Sequence, residues 1–450
     1  MTLRRALGGM AGAVLAAVSA SAAEPPRTLF LLLDAVPFDF VTEVTDPERP
    51  GGPLLATMSR PAPFVSTFPS STSVAAAGIL EPAGLKPSPG YEARFFDWER
   101  RRARGGGPIS YFKIDFPWRD FFDWEKKGVA RSAVGALRPI KASLYRVEKA
   151  VAAFLESDDP LFFAYVEATD TAIHLKGPRS MEPVFAALDR ELAAARRRRP
   201  DLDFRVVLFS DHGISGGEPL ANVWRPVRRA LKEAGFRLGR RLKRPRDAVL
   251  TPFGLVSSFE VYLDPAVARE AAEVLATVSG VDLCVVPADE TAWWVEGREG
   301  AARLERLAAG EEWRYRPHTG DPLDYAGVVA RLAERSGRPS ADRFPDAWWR
   351  EATAGHRYPD ALYRIARGFD LVTNPASVLC SLEPGHMYGA AKTEVLARLR
   401  SGRLRWTHGA LHSRASLGFL MTDEPGWKPT PGLRFDRGLL PFLPAEEASR

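Results

Sequence analysis

The sequence has 450 residues, of which 45% are hydrophobic and 26% charged, which is ordinary for a globular protein and excludes a disordered or fibrous chain. Its two cysteines, Cys284 and Cys380, exclude a disulfide framework and a cysteine-based metal site, and they fit one disulfide or two buried thiols equally well. The net charge is +6, but the arginine runs alternate with turns or end a helical segment, so we do not expect nucleic-acid binding.

The N-terminal segment has the pattern of an export signal. Arg4 and Arg5 precede an apolar stretch over residues 6–18, and Ala20-Ser21-Ala22 provides small residues for cleavage. The stretch is shorter than the roughly 20 residues that a membrane-spanning helix needs, and no later run is long enough. We predict a signal peptide over residues 1–23, no transmembrane segment after cleavage, and a periplasmic or secreted protein.

Three short apolar runs without helical period are each followed by residues that can bind a metal. The runs span residues 29–33, 161–166 and 204–209. The residues that follow them are Asp34 after the first run, Asp170 and His174 after the second, and Asp211 and His212 after the third. Open α/β sheets place their ligands at the carboxyl ends of the strands. We therefore predict an α/β fold in which these side chains meet at one edge of a sheet.

Hydroxyl and small residues follow the first run, between residues 65 and 78. We predict a helix here with Pro69 in its first turn. The free N–H groups at such a helix start suit an anion, while a simple capped helix explains the same residues equally well.

Residues from about 215 to 400 carry weak strand and helix signals, and we predict that they form a cap inserted before the last core elements. His318 and His356 fall in this segment, and we expect them to be surface or packing residues. Near the C-terminus, Thr407-His408-Gly409 offers an imidazole on a flexible turn. We favour His408 over His412 as a metal ligand because of the adjacent glycine.

The collected groups number seven: Asp34, a hydroxyl near Thr67, Asp170, His174, Asp211, His212 and His408. Carboxylates mixed with imidazoles suit zinc, although other divalent metals remain open. Seven groups are too many for one ion and the right number for two. A serine or threonine hydroxyl bound to zinc is deprotonated near neutral pH and becomes a competent nucleophile.

Five short motifs occur in a fixed order across most of the chain. They are Asp34, Thr67-Phe68-Pro69-Ser70, Asp170-Thr171-Ala172-Ile173-His174 with Gly177-Pro178, Ser210-Asp211-His212-Gly213, and Thr407-His408-Gly409. This order resembles the alkaline phosphatase superfamily, most closely its nucleotide pyrophosphatase/phosphodiesterase-like branch. The resemblance implies an alkaline-phosphatase-like, mainly parallel sheet between helices, with an inserted cap subdomain. It also implies that residues 24–450 form the catalytic domain.

The resemblance further implies two zinc ions, one held by Asp170, His174 and His408. The other would be held by Asp34, Asp211 and His212. Thr67 would be bound to this second zinc as the nucleophile, attack phosphorus in line and form a covalent phosphoenzyme that a zinc-bound hydroxide then hydrolyses. The implied function is an exported phosphoric ester hydrolase of the phosphodiesterase or pyrophosphatase type, acting on a small-molecule or lipid phosphate ester.

The chain departs from the family pattern in two places. Ser70 replaces the asparagine of the nucleophile turn, and the neighbouring Ser71 and Thr72 stay open as nucleophiles because some superfamily members carry theirs after the proline. The branch also uses an asparagine about twenty residues beyond the nucleophile to hold the transferred oxyanion, and this chain has none there. The candidates for that role are Lys86, Arg94 and Lys113.

Two other functions remain open. A lysine or arginine facing the phosphoryl group would favour a phosphomonoesterase of the same superfamily. An exported binding protein without catalysis would instead use the aromatic and arginine-rich region 90–119 as its recognition surface.

Overall fold

The computed structural model describes residues 26–106, 116–125, 138–390, 394–395, 404–430 and 432–443. The predicted signal peptide and Lys113 lie outside these ranges. The β-strands, in chain order, are β1 (Arg27–Leu33), β2 (Ala62–Val65), β3 (Arg94–Asp97), β4 (Arg102–Gly105), β5 (Trp124–Glu125), β6 (Leu161–Val166), β7 (Phe204–Phe209), β8 (Ser215–Gly216), β9 (Ala221–Asn222), β10 (Arg237–Gly239), β11 (Asp247–Leu250), β12 (Ser258–Tyr262), β13 (Val281–Pro287), β14 (Ala292–Gly297), β15 (Gly300–Leu307), β16 (Glu312–Gly320), β17 (Arg343–Pro345), β18 (Val378–Leu382), β19 (His386–Met387), β20 (Trp406–Thr407), β21 (Leu417–Thr422) and β22 (Leu433–Arg434).

The α-helices, in chain order, are α1 (Phe38–Val44), α2 (Thr72–Leu80), α3 (Pro139–Glu156), α4 (Ala168–Lys176), α5 (Glu182–Arg198), α6 (Trp224–Glu233), α7 (Ala268–Ala276), α8 (Ala326–Arg335), α9 (Asp346–Thr353), α10 (Ala361–Asp370) and α11 (Ser413–Ser416). Within the described residues, no α-helix combines the length and the apolar character needed to cross a bilayer.

The main sheet has seven strands in the order β22-β2-β21-β7-β1-β6-β5. Strand β1 pairs in parallel with both β6 and β7, and β21 is antiparallel to its neighbours β2 and β7. The apolar runs predicted as strands are therefore the three adjacent central strands. Their carboxyl ends lie at the same edge, and the predicted α/β class with a mainly parallel sheet is confirmed.

Both faces of this sheet are covered, which explains why its central strands are continuous apolar runs. Leu29 and Leu31 of β1 pack in a cluster with residues of α1, α3 and α5. Phe30 and Leu32 point to the opposite face, into a cluster that includes residues of α2 and α10. That second cluster also contains residues of β13, β14 and β18, so it joins the main sheet to a second one.

The second sheet has nine strands in the order β10-β11-β12-β18-β13-β14-β15-β16-β17. Its pairs are antiparallel except for β10 with β11. These strands fall inside the segment from about 215 to 400 that we predicted as a cap. The proposed boundaries of that cap and of the catalytic domain stay a prediction.

Candidate active site

The predicted ligand residues lie where the central strands of the main sheet end. Asp34 follows β1 directly, and Asp211 and His212 follow β7. Helix α4 begins shortly after β6 and carries Asp170 and His174 one turn apart, so their side chains share a face. Parallel pairing of β1, β6 and β7 brings these residues together at one edge of the sheet.

The structure gathers the six predicted metal ligands into two groups of three. One contains Asp170, His174 and His408, and the other contains Asp34, Asp211 and His212. In each trio the three ligand atoms lie within 4.8 Å of one another. The two trios adjoin, since the rings of His212 and His408 have centroids 4.1 Å apart. This grouping is the one that the family resemblance implies.

Each imidazole is oriented by a backbone carbonyl. Nδ1 of His174 lies 2.8 Å from the carbonyl oxygen of Trp406. Nδ1 of His212 lies 2.9 Å from the carbonyl oxygen of Gly213, and Nδ1 of His408 lies 2.9 Å from that of Ser70. Nδ1 therefore carries the proton and donates, which leaves the lone pair on Nε2. Nε2 of His174 lies 3.1 Å from Asp170 Oδ1, and Nε2 of His212 lies 3.3 Å from Asp211 Oδ2. The lone pairs thus face the carboxylates, as metal-binding histidines require.

The electrostatic environment of the two trios favours a bound cation. Burial, together with the charge of Asp211, raises the pKa of Asp34 well above its usual value. Burial raises the pKa of Asp211 to about 7, and it lowers the pKa of His212 to about 4 and that of His408 to about 3. Oδ1 of Asp170 and Oδ2 of Asp211 are buried without a hydrogen-bond partner. Burial lowers and the charge of Asp170 raises the pKa of His174, and the net shift of that pKa is upward. Three carboxylates beside three imidazoles fit divalent metal ions.

The hydroxyl at this site belongs to Thr72. Its Oγ1 donates to Asp34 Oδ1 at 3.3 Å and lies 3.5 Å from His212 Nε2. Thr72 is the first residue of α2 and is partly exposed, so a substrate can reach it.

Thr67, which we favoured as the nucleophile, is placed elsewhere. Its side chain is fully buried, and its hydroxyl donates to the carbonyl of Pro69 at 2.8 Å. The hydroxyl of Ser71 donates to the carbonyl of Tyr91 at 3.3 Å. Of the three hydroxyls that the sequence offered, that of Thr72 is therefore the one next to Asp34 and His212.

The physical reason for this placement of the hydroxyls is the start of helix α2. We predicted Pro69 in the first turn of this helix, but the helix begins three residues later, with Ser71 in extended conformation as its N-cap residue. Thr67 belongs to the preceding turn, and only Thr72 stands at the helix start facing Asp34. A serine followed by a run of helix-compatible small residues was the available signal for this boundary.

The remaining predicted residues belong to neither trio. Lys86 is exposed after α2, and Arg94 is partly buried on β3. His412 belongs to neither trio, and its Nε2 is buried without a hydrogen-bond partner. His318 is exposed beside Trp294. His356 packs against Tyr325, with ring centroids 4.9 Å apart.

Two residues that the sequence analysis missed support the site. Tyr165 of β6 donates its hydroxyl to Asp34 Oδ2. Arg364 of α10 is fully buried and donates to the carbonyls of Ser66 at 2.7 Å, Thr67 at 3.1 Å and Leu411 at 2.8 Å. It thus joins the loop before Thr72 to the loop after His408. A polar residue in an amphipathic helix gives no sequence signal for such a role.

The family model for type I phosphodiesterase/nucleotide pyrophosphatase matches residues 62–327, which is more than half of the chain. No curated protein matches the sequence.

Several solved structures are similar at 12% sequence identity. Human ectonucleotide pyrophosphatase/phosphodiesterase 5 has a TM-score of 0.46, with 91% of this chain and 92% of that chain covered. The inactive murine protein of the same name, in complex with AMP, has a TM-score of 0.43, with 91% and 90% covered. Phosphonoacetate hydrolase from Sinorhizobium meliloti 1021, in complex with phosphonoacetate, has a TM-score of 0.47, with 94% and 95% covered.

The family assignment rests on the family model, which spans β2 and α2 at one end and most of the second sheet at the other. The chain belongs to the type I phosphodiesterase/nucleotide pyrophosphatase family of the alkaline phosphatase superfamily, and it is a hydrolase acting on phosphoric ester bonds.

Proposed function

We propose that this protein is an exported, metal-dependent phosphodiesterase or pyrophosphatase that uses Thr72 as its nucleophile. The observation that carries this proposal is the position of Thr72 Oγ1, 3.3 Å from Asp34 Oδ1 and 3.5 Å from His212 Nε2. A binding protein has no need of a partly exposed hydroxyl at that point. Export rests on the predicted signal peptide alone.

Two divalent cations would occupy the two trios, and zinc suits their mixture of carboxylates and imidazoles. When bound, these cations would neutralise the carboxylates and stabilise the charge of the transferred phosphoryl group. Asp170, His174 and His408 would hold one, and Asp34, Asp211 and His212 the other.

The residues of the chain suit a two-step transfer. Asp34 accepts the hydrogen bond of Thr72 and so orients its oxygen. A bond forms between Thr72 Oγ1 and phosphorus while the bond from phosphorus to the leaving oxygen breaks, and the hydroxyl proton of Thr72 ends on the leaving oxygen. The product is a Thr72 phosphoryl ester that still carries the second substituent of the diester. Water then attacks phosphorus, the Thr72 oxygen leaves, and the free enzyme is regenerated. Backbone N–H groups at the start of α2 suit the oxygens of the transferred group.

The test compares wild type with Thr72→Ala and Thr67→Ala, two variants that lose the same atoms from neighbouring positions. Each is assayed for hydrolysis of bis-p-nitrophenyl phosphate and p-nitrophenyl phosphate, and its metal content is measured by mass spectrometry. We expect Thr72→Ala to lose activity on the order of 10³-fold or more, and Thr67→Ala to keep it within about tenfold. Acid quenching during turnover of bis-p-nitrophenyl phosphate should trap a p-nitrophenyl phosphoryl group on wild type and not on Thr72→Ala.

The outcomes separate the alternatives. Faster turnover of the monoester than of the diester would keep Thr72 and change the substrate class to a phosphomonoester. Metal binding without turnover of either ester would support the binding-protein alternative. Full activity of Thr72→Ala would refute the proposed nucleophile, and wild type without bound metal would refute the proposed metal centre.

A further inference from the structure

Cys284 and Cys380 lie opposite each other in the second sheet. Cys284 is on β13 and Cys380 on β18, and the two residues are register partners in the antiparallel pairing of these strands. Both side chains have 0% exposure. Their Sγ atoms are 2.6 Å apart.

We propose that Cys284 and Cys380 form a cross-strand disulfide. Directly opposed residues of antiparallel strands have Cα atoms about 4.5–5.5 Å apart, which lies inside the range of about 4.4–6.8 Å that disulfides require. Non-bonded carbon atoms make contact at about 3.5–4.0 Å, and sulfur is larger than carbon, so two separate thiols do not fit at the observed distance. The strands already hold both side chains where the bond needs them.

The chemistry requires an oxidant with a disulfide of its own, such as an oxidised dithiol protein or oxidised glutathione. The thiolate of one cysteine attacks that disulfide and forms a mixed disulfide, and the second thiolate then displaces the carrier. Two protons and two electrons leave the cysteine pair, and the oxidant ends as two thiols. Because both sulfurs are buried, this exchange occurs while the chain folds, before β13 and β18 are covered.

The disulfide would fix β18, the strand to which the loop after His408 is hydrogen-bonded. Ser381, next to Cys380, accepts a hydrogen bond at its Oγ from the backbone N–H of Leu411 at 3.0 Å. The loop that carries His408 is thus hydrogen-bonded directly to β18. The segment between the two cysteines also contains Arg364, which holds the opposite side of the same loop. Nothing in this pairing depends on the nucleophile or on the metal.

The test begins with full-length protein unfolded in denaturant and reductant, then refolded in a buffer of oxidised and reduced glutathione. After unfolding again without reductant, free thiols are alkylated with iodoacetamide and counted by intact mass. We expect no alkylation of the refolded wild type, and two alkylated cysteines once reductant is added. The double variant Cys284→Ala/Cys380→Ala is the matched control, since it lacks both thiols.

Thermal unfolding gives an independent readout. The oxidised wild type should melt roughly 5 °C or more above wild type refolded in reductant, because the bond closes a long loop. The double variant should melt at the same temperature with and without reductant. Two alkylated thiols or glutathione adducts after oxidative refolding would overturn the disulfide, as would equal melting temperatures of the oxidised and reduced wild type.

Discussion

Replacing Arg364 by methionine tests whether this residue holds together the two loops that carry the candidate active site. The guanidinium of Arg364 is fully buried and donates to the carbonyls of Ser66, Thr67, Pro359 and Leu411 at 2.7, 3.1, 3.0 and 2.8 Å. These carbonyls belong to the loop before Thr72 and to the loop after His408, apart from that of Pro359. Methionine fills a similar space but cannot donate to any of them.

The expected cost follows from two opposing terms. Methionine also loses the hydrogen bond from Arg364 to the hydroxyl of Ser416, so five are lost. Five hydrogen bonds from a charged donor contribute about 1.5 kcal/mol each at the low end of their range, or about 7.5 kcal/mol together. Burial lowers the pKa of Arg364 from 12.5 to about 10, so removing the buried charge offsets about 3 kcal/mol. We therefore expect Arg364→Met to lower the free energy of unfolding by about 4 kcal/mol.

Urea unfolding measures this change, and zinc content and diester hydrolysis of the folded variant show whether the site is affected. Because Arg364 joins both loops, we expect reduced metal content and at least about tenfold lower turnover. The control is Arg335→Met, which removes an exposed ion pair with Glu351 and should behave like wild type, since such pairs contribute little. Unfolding within about 1 kcal/mol of wild type, with unchanged metal content, would refute this role of Arg364.

Three further predictions concern the metal centre and the second sheet. Chelation should abolish hydrolysis and lower the melting temperature, because it leaves three clustered carboxylates, two of them buried, without a cation, and added zinc should restore both; a chelated protein with unchanged melting would contradict the proposed site. His408→Ala should lose bound metal while His412→Ala keeps it, and the opposite metal contents would move the ligand assignment to His412. Burial raises the pKa of Glu260 from 4.5 to about 7, so the folded protein holds this proton more tightly than the unfolded chain. The resulting stability, about 3 kcal/mol, is present below pH 4.5 and is lost as the pH rises through about 7. Urea unfolding across this range should show a smaller pH dependence in Glu260→Gln than in wild type, and an equal dependence would contradict the argument.

The grouping of the six candidate ligands was predictable because each one is tied to a local feature of the sequence. Asp34 follows an apolar strand directly, and Asp211 with His212 follows another within three residues. Parallel pairing then brings such strand ends together without any further information. His408 was distinguished from His412 by the adjacent glycine, and the structure places only His408 in a trio.

The hydroxyl at the site was harder to identify because it depends on contacts distant in sequence. The turn from Ser66 to Ser71 is held by Arg364 of α10 and by the loop around His408, whose imidazole donates to Ser70. The sequence near Thr67 does not indicate these partners. The register that places Cys284 opposite Cys380 is equally non-local, because it is fixed by pairing between strands 96 positions apart.

The position of β21 constrains how the active enzyme comes into being. Its residues Leu417–Thr422 lie between β2 and β7, and the other neighbour of β2 is β22, also from the end of the described chain. Within the main sheet, β2, which precedes Thr72, is therefore hydrogen-bonded only to strands that follow all the others in the described chain. In a nascent chain that has not yet released β21, β2 has no partner in the sheet and β7 has an open edge, and unpaired strand edges are prone to aggregation. A chain that stops before residue 417 lacks the strand that joins β2 to β7, so the segment that carries Thr72 loses its attachment to the sheet.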